Sequence, residues 1–204
     1  MPIDEEQCKI WSHQGAIVTA KSTHESIRNA LVSDSSPIRH LVIAGNVEIY
    51  LQGSYKNDTN IRGDSDIDVV VQLNTTFQYD DSNLPILEKL LFNVSYNPAT
   101  YLWNHFRRDV ILALRAYFGE SNIEVGEKSI KVKAGSNRLP ADVVVSLQYR
   151  RYQSFTSIGF QRYQKGIAFY STSPPKLFVN YPKYHYDRGV AKNKYATLGR
   201  YKPT

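Results

Sequence analysis

The chain has 204 residues, 42% hydrophobic and 22% charged, a composition and length that suit one domain with a substantial core. Its single cysteine, Cys8, excludes an intrachain disulfide and a cysteine-built zinc cluster. The net charge of +6 is split unevenly: residues 150–204 hold 11 Lys/Arg against one acid, Asp187, a balance of +10, and residues 1–149 hold −4. No apolar run approaches the roughly 18 residues a membrane helix needs. The N-terminal "MPIDEEQCKI" is acidic and lacks the basic and apolar regions of a signal peptide, so the expectation is a reduced, cytoplasmic protein without a membrane partner.

Taken in chain order, "WSHQGAIVTAKSTHESIRNALVS" reads as helix, with Ile17, Ala20, Ser22, Ile27, Ala30 and Leu31 forming an imperfect stripe that ends at the turn residues Asp34 to Pro37. "HLVIAGNVEIYLQGSY" reads as strand, Val47, Ile49 and Leu51 alternating with Glu48 and Tyr50. "NIRGDS" is a turn, and "DIDVVVQL" is a second strand, apolar on both faces in its later part and therefore central. "PATYLWNHFRRDVILALRAYFGE" is the clearest helix, with Leu102, Phe106, Val110, Leu112, Leu114 and Phe118 at helical spacing and Gly119 as its stop. "EKSIKVKAGSNRLPADVVVSLQYRRY" reads as a hairpin turning at "AGSNRLP", and "GIAFYS" as a short strand before the Pro- and Tyr-rich "STSPPKLFVNYPKYHYDRG". The succession helix, strand, strand, helix, hairpin, strand predicts an α+β protein: a mixed sheet with helices packed on it.

The chemistry concentrates in "YLQGSYKNDTNIRGDSDIDVVVQL". Side chains at i and i+2 of a strand share a face, so Asp66 and Asp68 project together while Ile67, Val69 and Val71 face the core. Asp64 has the same parity but follows Gly63 and belongs to the turn. Two carboxylates roughly 5–7 Å apart repel unless a cation bridges them, and magnesium, a hard ion that shares oxygen ligands with substrate phosphates, suits them. Asp142, in "LPADVVVSL", is again a lone acid opening an apolar strand, and the hairpin could set it beside the first two. Taken singly, each acid also fits a strand end or a salt bridge. Gly53-Ser54 follows an apolar strand where backbone N–H groups and a hydroxyl can cradle phosphate. A phosphate cradle beside a carboxylate cluster is what phosphoryl transfer needs.

"QGSYKNDTNIRGDSDIDVVV" resembles the Gly-Ser plus Asp-x-Asp motif of the polymerase-β-type nucleotidyltransferases, and more narrowly the bacterial cGAS/DncV-like members called CD-NTases. "WSHQGAIVTAKSTHESIRNAL", "RLPADVVV" and "NYPKYHYDRGVAKNKYATLGRYK" extend the likeness from about Trp11 to Lys202. The resemblance implies a polymerase-β-like fold over residues 1–204, with a core of about 11–172 and a basic, Tyr-rich segment 173–204 leading toward a C-terminal helical lobe that is incomplete here. It implies that Asp66 and Asp68 hold two Mg²⁺ ions, with Mn²⁺ as an alternative, and that Asp142 completes the site of the ion that activates the attacking hydroxyl. Gly53 and Ser54 would hold the donor triphosphate, Lys192 would face phosphates, and a tail tyrosine such as Tyr181 would stack on a base.

The implied activity is the joining of NTPs, through attack of a 3′- or 2′-hydroxyl on an α-phosphorus, into cyclic or linear oligonucleotide second messengers of bacterial anti-phage signalling. NTPs are the implied substrates, with room for a nucleic-acid or protein activator and for a C-terminal half or accessory protein. Two other readings stay open: transfer to a protein, RNA or small-molecule acceptor, and a non-catalytic nucleic-acid-binding module built on the basic, aromatic tail. The five histidines fall in no nucleophile motif, and no G-x-G-x-x-G occurs.

Overall fold

The computed structural model describes residues 15–53, 66–136, 138–183, 187, 188 and 191. Its elements run α1 (Gly15–Val32), α2 (Arg39–Ile43), β1 (Val47–Gln52), β2 (Ile67–Asp80), α3 (Ile86–Ser95) and α4 (Trp103–Phe118). A short 3₁₀ turn, Glu120–Asn122, leads to β3 (Ile123–Val125), β4 (Ile130–Val132), β5 (Ala141–Ser157), β6 (Phe160–Thr172) and β7 (Pro175–Asn180). The seven strands make one mixed α+β sheet in which β2 and β5 are parallel neighbours and every other pairing is antiparallel. Among the described residues no helix is long and apolar enough to cross a membrane.

Strand β5 is the spine of the sheet. Its first residues pair with β4 on one edge, its later ones with β6 on that same edge, and β2 runs along the other. Ile67, Val69, Val71 and Leu73 of β2 share a face with Ala141, Val143, Val145 and Leu147 of β5, and all eight are at most 1% exposed. Helices α1 and α4 cover that face through Ala20, Ile27, Ala30 and Leu31 and through Phe106, Val110, Ala113 and Leu114. Each large side chain buried this way contributes roughly 1.5–3 kcal/mol, so the packing fixes which face β2 turns away. Two polar contacts anchor α1: His24 Nε2 lies 3.0 Å from the Ile49 carbonyl oxygen, and the Leu139 N–H donates to Thr23 Oγ1 at 3.0 Å. The second contact reaches the segment just before β5.

Beyond Leu73 the register of β2 slips by three residues before Phe77 pairs with Gln148. The extra residues are held from outside the ladder: Asn74 N–H donates to the Asn46 carbonyl, and Thr76 Oγ1 donates to the Tyr101 carbonyl. Past the slip, α3 packs on β5 in a second core of Leu84, Phe92, Tyr152 and Phe155, with Phe77, Tyr96 and Tyr163 against it.

Several sequence expectations change here. Residues 39–43 form a helix rather than the start of a strand, and the strand begins at Val47. The stripe of α4 passes through Ala113, while Leu102 and Leu112 are each 47% exposed. The short strand at 166–171 is the end of the long β6, and the Pro-rich stretch contains β7, where Pro175 can open an edge strand because its missing N–H costs no ladder bond. Helix α3 and strand β3 were not anticipated.

Candidate active site

The polar face of the sheet carries one rung of side chains at the strand ends. Antiparallel pairing sets Gln52 opposite Asp68, parallel pairing sets Asp68 opposite Asp142, and the β4–β5 hairpin sets Asp142 opposite Lys131. The adjacency of the second and third carboxylates thus follows from the register of two apolar valine strands. Asp66 lies just before β2, and its Oδ2 accepts from Lys131 Nζ at 3.0 Å, reaching over β5 toward β4.

Charge crowding marks the centre of this rung. Burial raises the Asp68 carboxyl above its usual range first, and the neighbouring Asp142 and then Asp66 raise it further. Among the described residues neither Asp68 nor Asp142 has a hydrogen-bond or ion-pair partner, and the one cation beside them, Lys131, is bonded to Asp66. Lys131 hydrogen-bonds Asp66 and also feels the charge of Asp142 across the ladder, and its ammonium is held above its ordinary pKa chiefly by the Asp66 hydrogen bond. The sequence reading missed Lys131, although the hairpin register that places Asp142 also places Lys131 across from it.

Gly53 closes the rung on the β1 side. Its backbone sits at φ +73°, and a Cβ built there would collide with Asp68 Oδ2. A glycine is needed twice over, for the left-handed conformation and for the approach of the chain to a carboxylate.

The donor set suits a hard divalent cation: all oxygens, two of them on adjacent strands, with charge to spare. Among the described residues no three acidic, histidine or thiol groups close into a ready-made cage. Ser54, Asp64 and Lys192 lie outside the described residues. Tyr181 packs edge-on against Tyr149, ring centroids 6.0 Å apart, and its ring lies over Gly166. Tyr149 is seven positions from Asp142, about 23 Å along β5 at the usual strand rise, so the structure does not bring Tyr181 to the carboxylates.

Comparison with known proteins places the chain in a family. The nucleotidyltransferase domain family matches residues 35–133. Over 204 residues the chain is 48% identical to the cyclic UMP-AMP synthase of Rhodothermus marinus (strain SG0.5JP17-172), covering all of this chain and 66% of the relative. It is 41% identical over 205 residues to the cyclic nucleotide synthase CdnE01 of Staphylococcus haemolyticus, again covering all of this chain and 66% of the relative. The chain therefore spans just under two thirds of the length of these curated relatives. The solved structure of the Rhodothermus marinus CdnE c-UMP-AMP synthase with Apcpp and Upnpp matches 95% of this chain and 61% of that one, with a TM-score of 0.75 and 48% identity.

Proposed function

Given that the chain belongs to the CD-NTases, within the polymerase-β-type nucleotidyltransferases, we propose that its carboxylate rung joins nucleoside triphosphates into cyclic oligonucleotides. The observation that carries this reading is Asp68 opposite Asp142 in parallel register, both without partners among the described residues, with Gly53 against Asp68. In each step a 3′- or 2′-hydroxyl gives up its proton to solvent as its oxygen bonds to an α-phosphorus, the bond to the bridging oxygen breaks, and pyrophosphate departs.

Asp66, Asp68 and Asp142 are the groups that would hold divalent cations, Mg²⁺ or Mn²⁺. Such ions supply a lowered hydroxyl pKa and compensation of charge on the departing pyrophosphate. What the chain itself does is orient. The valine ladders fix Asp68 and Asp142 on one rung, and Lys131 turns Asp66 toward β4. Gly53 lets the backbone come close enough for its N–H groups, with Ser54, to hold a triphosphate.

The finer parts of the proposal rest on family membership: metal dependence, a cytoplasmic setting, anti-phage signalling, a nucleic-acid or protein activator, and a C-terminal helical portion or accessory protein that closes the cleft. Residues 1–204 act in it as a nucleotidyltransferase domain, and Lys192 as a phosphate contact.

The test is incubation with all four labelled NTPs and Mg²⁺ or Mn²⁺, phosphatase treatment, and mass analysis of what survives. The expected result is a phosphatase-resistant oligonucleotide that disappears in Asp68→Ala/Asp142→Ala. Transfer to a protein or RNA acceptor in place of NTP joining would overturn it, as would product formation that survives loss of both aspartates.

A further inference from the structure

On the helical side of the sheet, away from the carboxylate rung, a cavity of about 370 Å³ opens beside α4, a size common among small-molecule sites. Three arginines are among its lining residues, Arg107, Arg108 and Arg115. Two have acids: Arg108 Nε donates to Asp109 Oδ1 at 2.9 Å, and Arg115 Nε lies 3.1 Å from Glu120 Oε1. Arg107 does not. It is only 9% exposed, it donates to the Gly126 carbonyl, and its guanidinium carbon sits 5.6 Å from the centroid of the Trp103 ring. Among the described residues it has no carboxylate partner and no second acceptor.

A nearly buried cation without an anion is costly, and a guanidinium presents five N–H donors, so most of those on Arg107 are unused. The rest of the lining is largely apolar: Trp103 and Ile111 alternate with Arg107 and Arg115 along one face of α4, and Val125 comes from β3. Guanidinium groups match the oxygens of a phosphate in pairs, and Arg107, the one without an acid, leaves a net positive charge beside the two arginine–carboxylate pairs. An aromatic and aliphatic wall favours a ligand with a flat or apolar body over a bare ion.

We infer that this cavity binds a small organic phosphate of mononucleotide size, its phosphate among Arg107, Arg108 and Arg115 and its body along Trp103 and Ile111. The site is independent of the carboxylate rung, because α4 and the buried core separate it from the polar face.

The experiment titrates the full chain in EDTA, where the carboxylate rung repels phosphates, using AMP, inorganic pyrophosphate and a short RNA duplex as separate probes. Calorimetry and tryptophan fluorescence are the readouts, since Trp103 lines the cavity. Expected are 1:1 saturation by AMP, weaker binding of pyrophosphate, and at least a tenfold loss of AMP affinity in both Leu112→Glu and Arg115→Gln. Leu112 lines the cavity and is 47% exposed, so an acid there repels the ligand without entering the core. Three results would overturn the inference: no saturation by AMP into the millimolar range, AMP binding that both variants leave unchanged, or binding by the duplex alone.

Discussion

A side chain at Gly53 and the carboxylate of Asp68 cannot both hold their present positions: a Cβ at position 53 collides with Asp68 Oδ2, which would have to move. The backbone at φ +73° adds a second obstacle, because L side chains rarely adopt it. Gly53→Ala is therefore expected to cost about 1–3 kcal/mol in strain. It should cost catalysis more, since a displacement of about 1 Å at a catalytic group can remove roughly 10²-fold in rate. Thermal melts and turnover measured on one preparation separate the two. An active Gly53→Ala enzyme would mean that Asp68 moves without consequence.

Asp68→Asn carries an opposite sign for stability. The native carboxylate is solvent-exposed and faces Asp142 and Asp66 without a hydrogen-bond or ion-pair partner among the described residues, so neutralising it relieves a repulsion that solvent screens. Without divalent cations the variant should melt slightly higher, by up to about 2 °C, because solvent screening keeps the effect under roughly 1 kcal/mol. Added Mg²⁺ should raise the melting temperature of the wild type and leave Asp68→Asn nearly unchanged. Equal stabilisation of both proteins by Mg²⁺ would place the cation elsewhere.

How much of this was legible beforehand depended on the kind of signal. Alternating apolar residues announced β1, β2 and the β4–β5 hairpin, and the shared parity of Asp66 and Asp68 followed from strand geometry alone. That Asp142 lies directly opposite Asp68 was an expectation that only the register could settle. Lys131 stayed hidden because one lysine in "KSIKVK" looks like any solvated strand residue until its partner across the ladder is known. Helix α3 was not read although Ile86, Leu87, Leu90, Leu91 and Val94 recur at helical spacing; that stripe is 45–83% exposed, and the helix is anchored from its other side by Phe92. The long arms of β5 and β6 were missed because Arg150, Arg151 and Lys165 break the apolar pattern that defines a half-buried strand.

The second core sets a third expectation. Phe92 is 2% exposed and its ring meets those of Tyr79, Tyr96, Tyr152 and Phe155 at centroid distances of 4.7–5.3 Å. Phe92→Ala should cost about 3–5 kcal/mol, the range for deleting a buried aromatic side chain. The loss should appear in chemical denaturation and as faster amide exchange across α3. The rung at Asp68 and Asp142 belongs to the other core, so nucleotide binding by the folded fraction should persist. Loss of binding in parallel with stability would show the two cores to be one cooperative unit.

The last expectation concerns acid. Glu48 accepts from Lys183 Nζ at 2.8 Å and from Asn74 Nδ2 at 3.0 Å, tying β1 to the segment after β7. The Lys183 hydrogen bond is the largest cause holding its carboxyl below the ordinary 4.5, and burial works against it. A carboxyl depressed by folding binds its proton less readily in the native state. Its contribution is thus complete above the unfolded value and fades as pH falls through the native one. The side chains of the pair are 57% and 43% exposed, so the contribution is under about 1 kcal/mol. Melting temperatures of wild type, Glu48→Gln and Lys183→Met from about pH 3 to 7 should converge at the acid end and separate as pH rises past the native titration. Wild type should be the most stable of the three at neutral pH. A gap between wild type and Glu48→Gln that stays constant over the whole range would assign the effect to the neutral hydrogen bond from Asn74 rather than to the charge on Glu48.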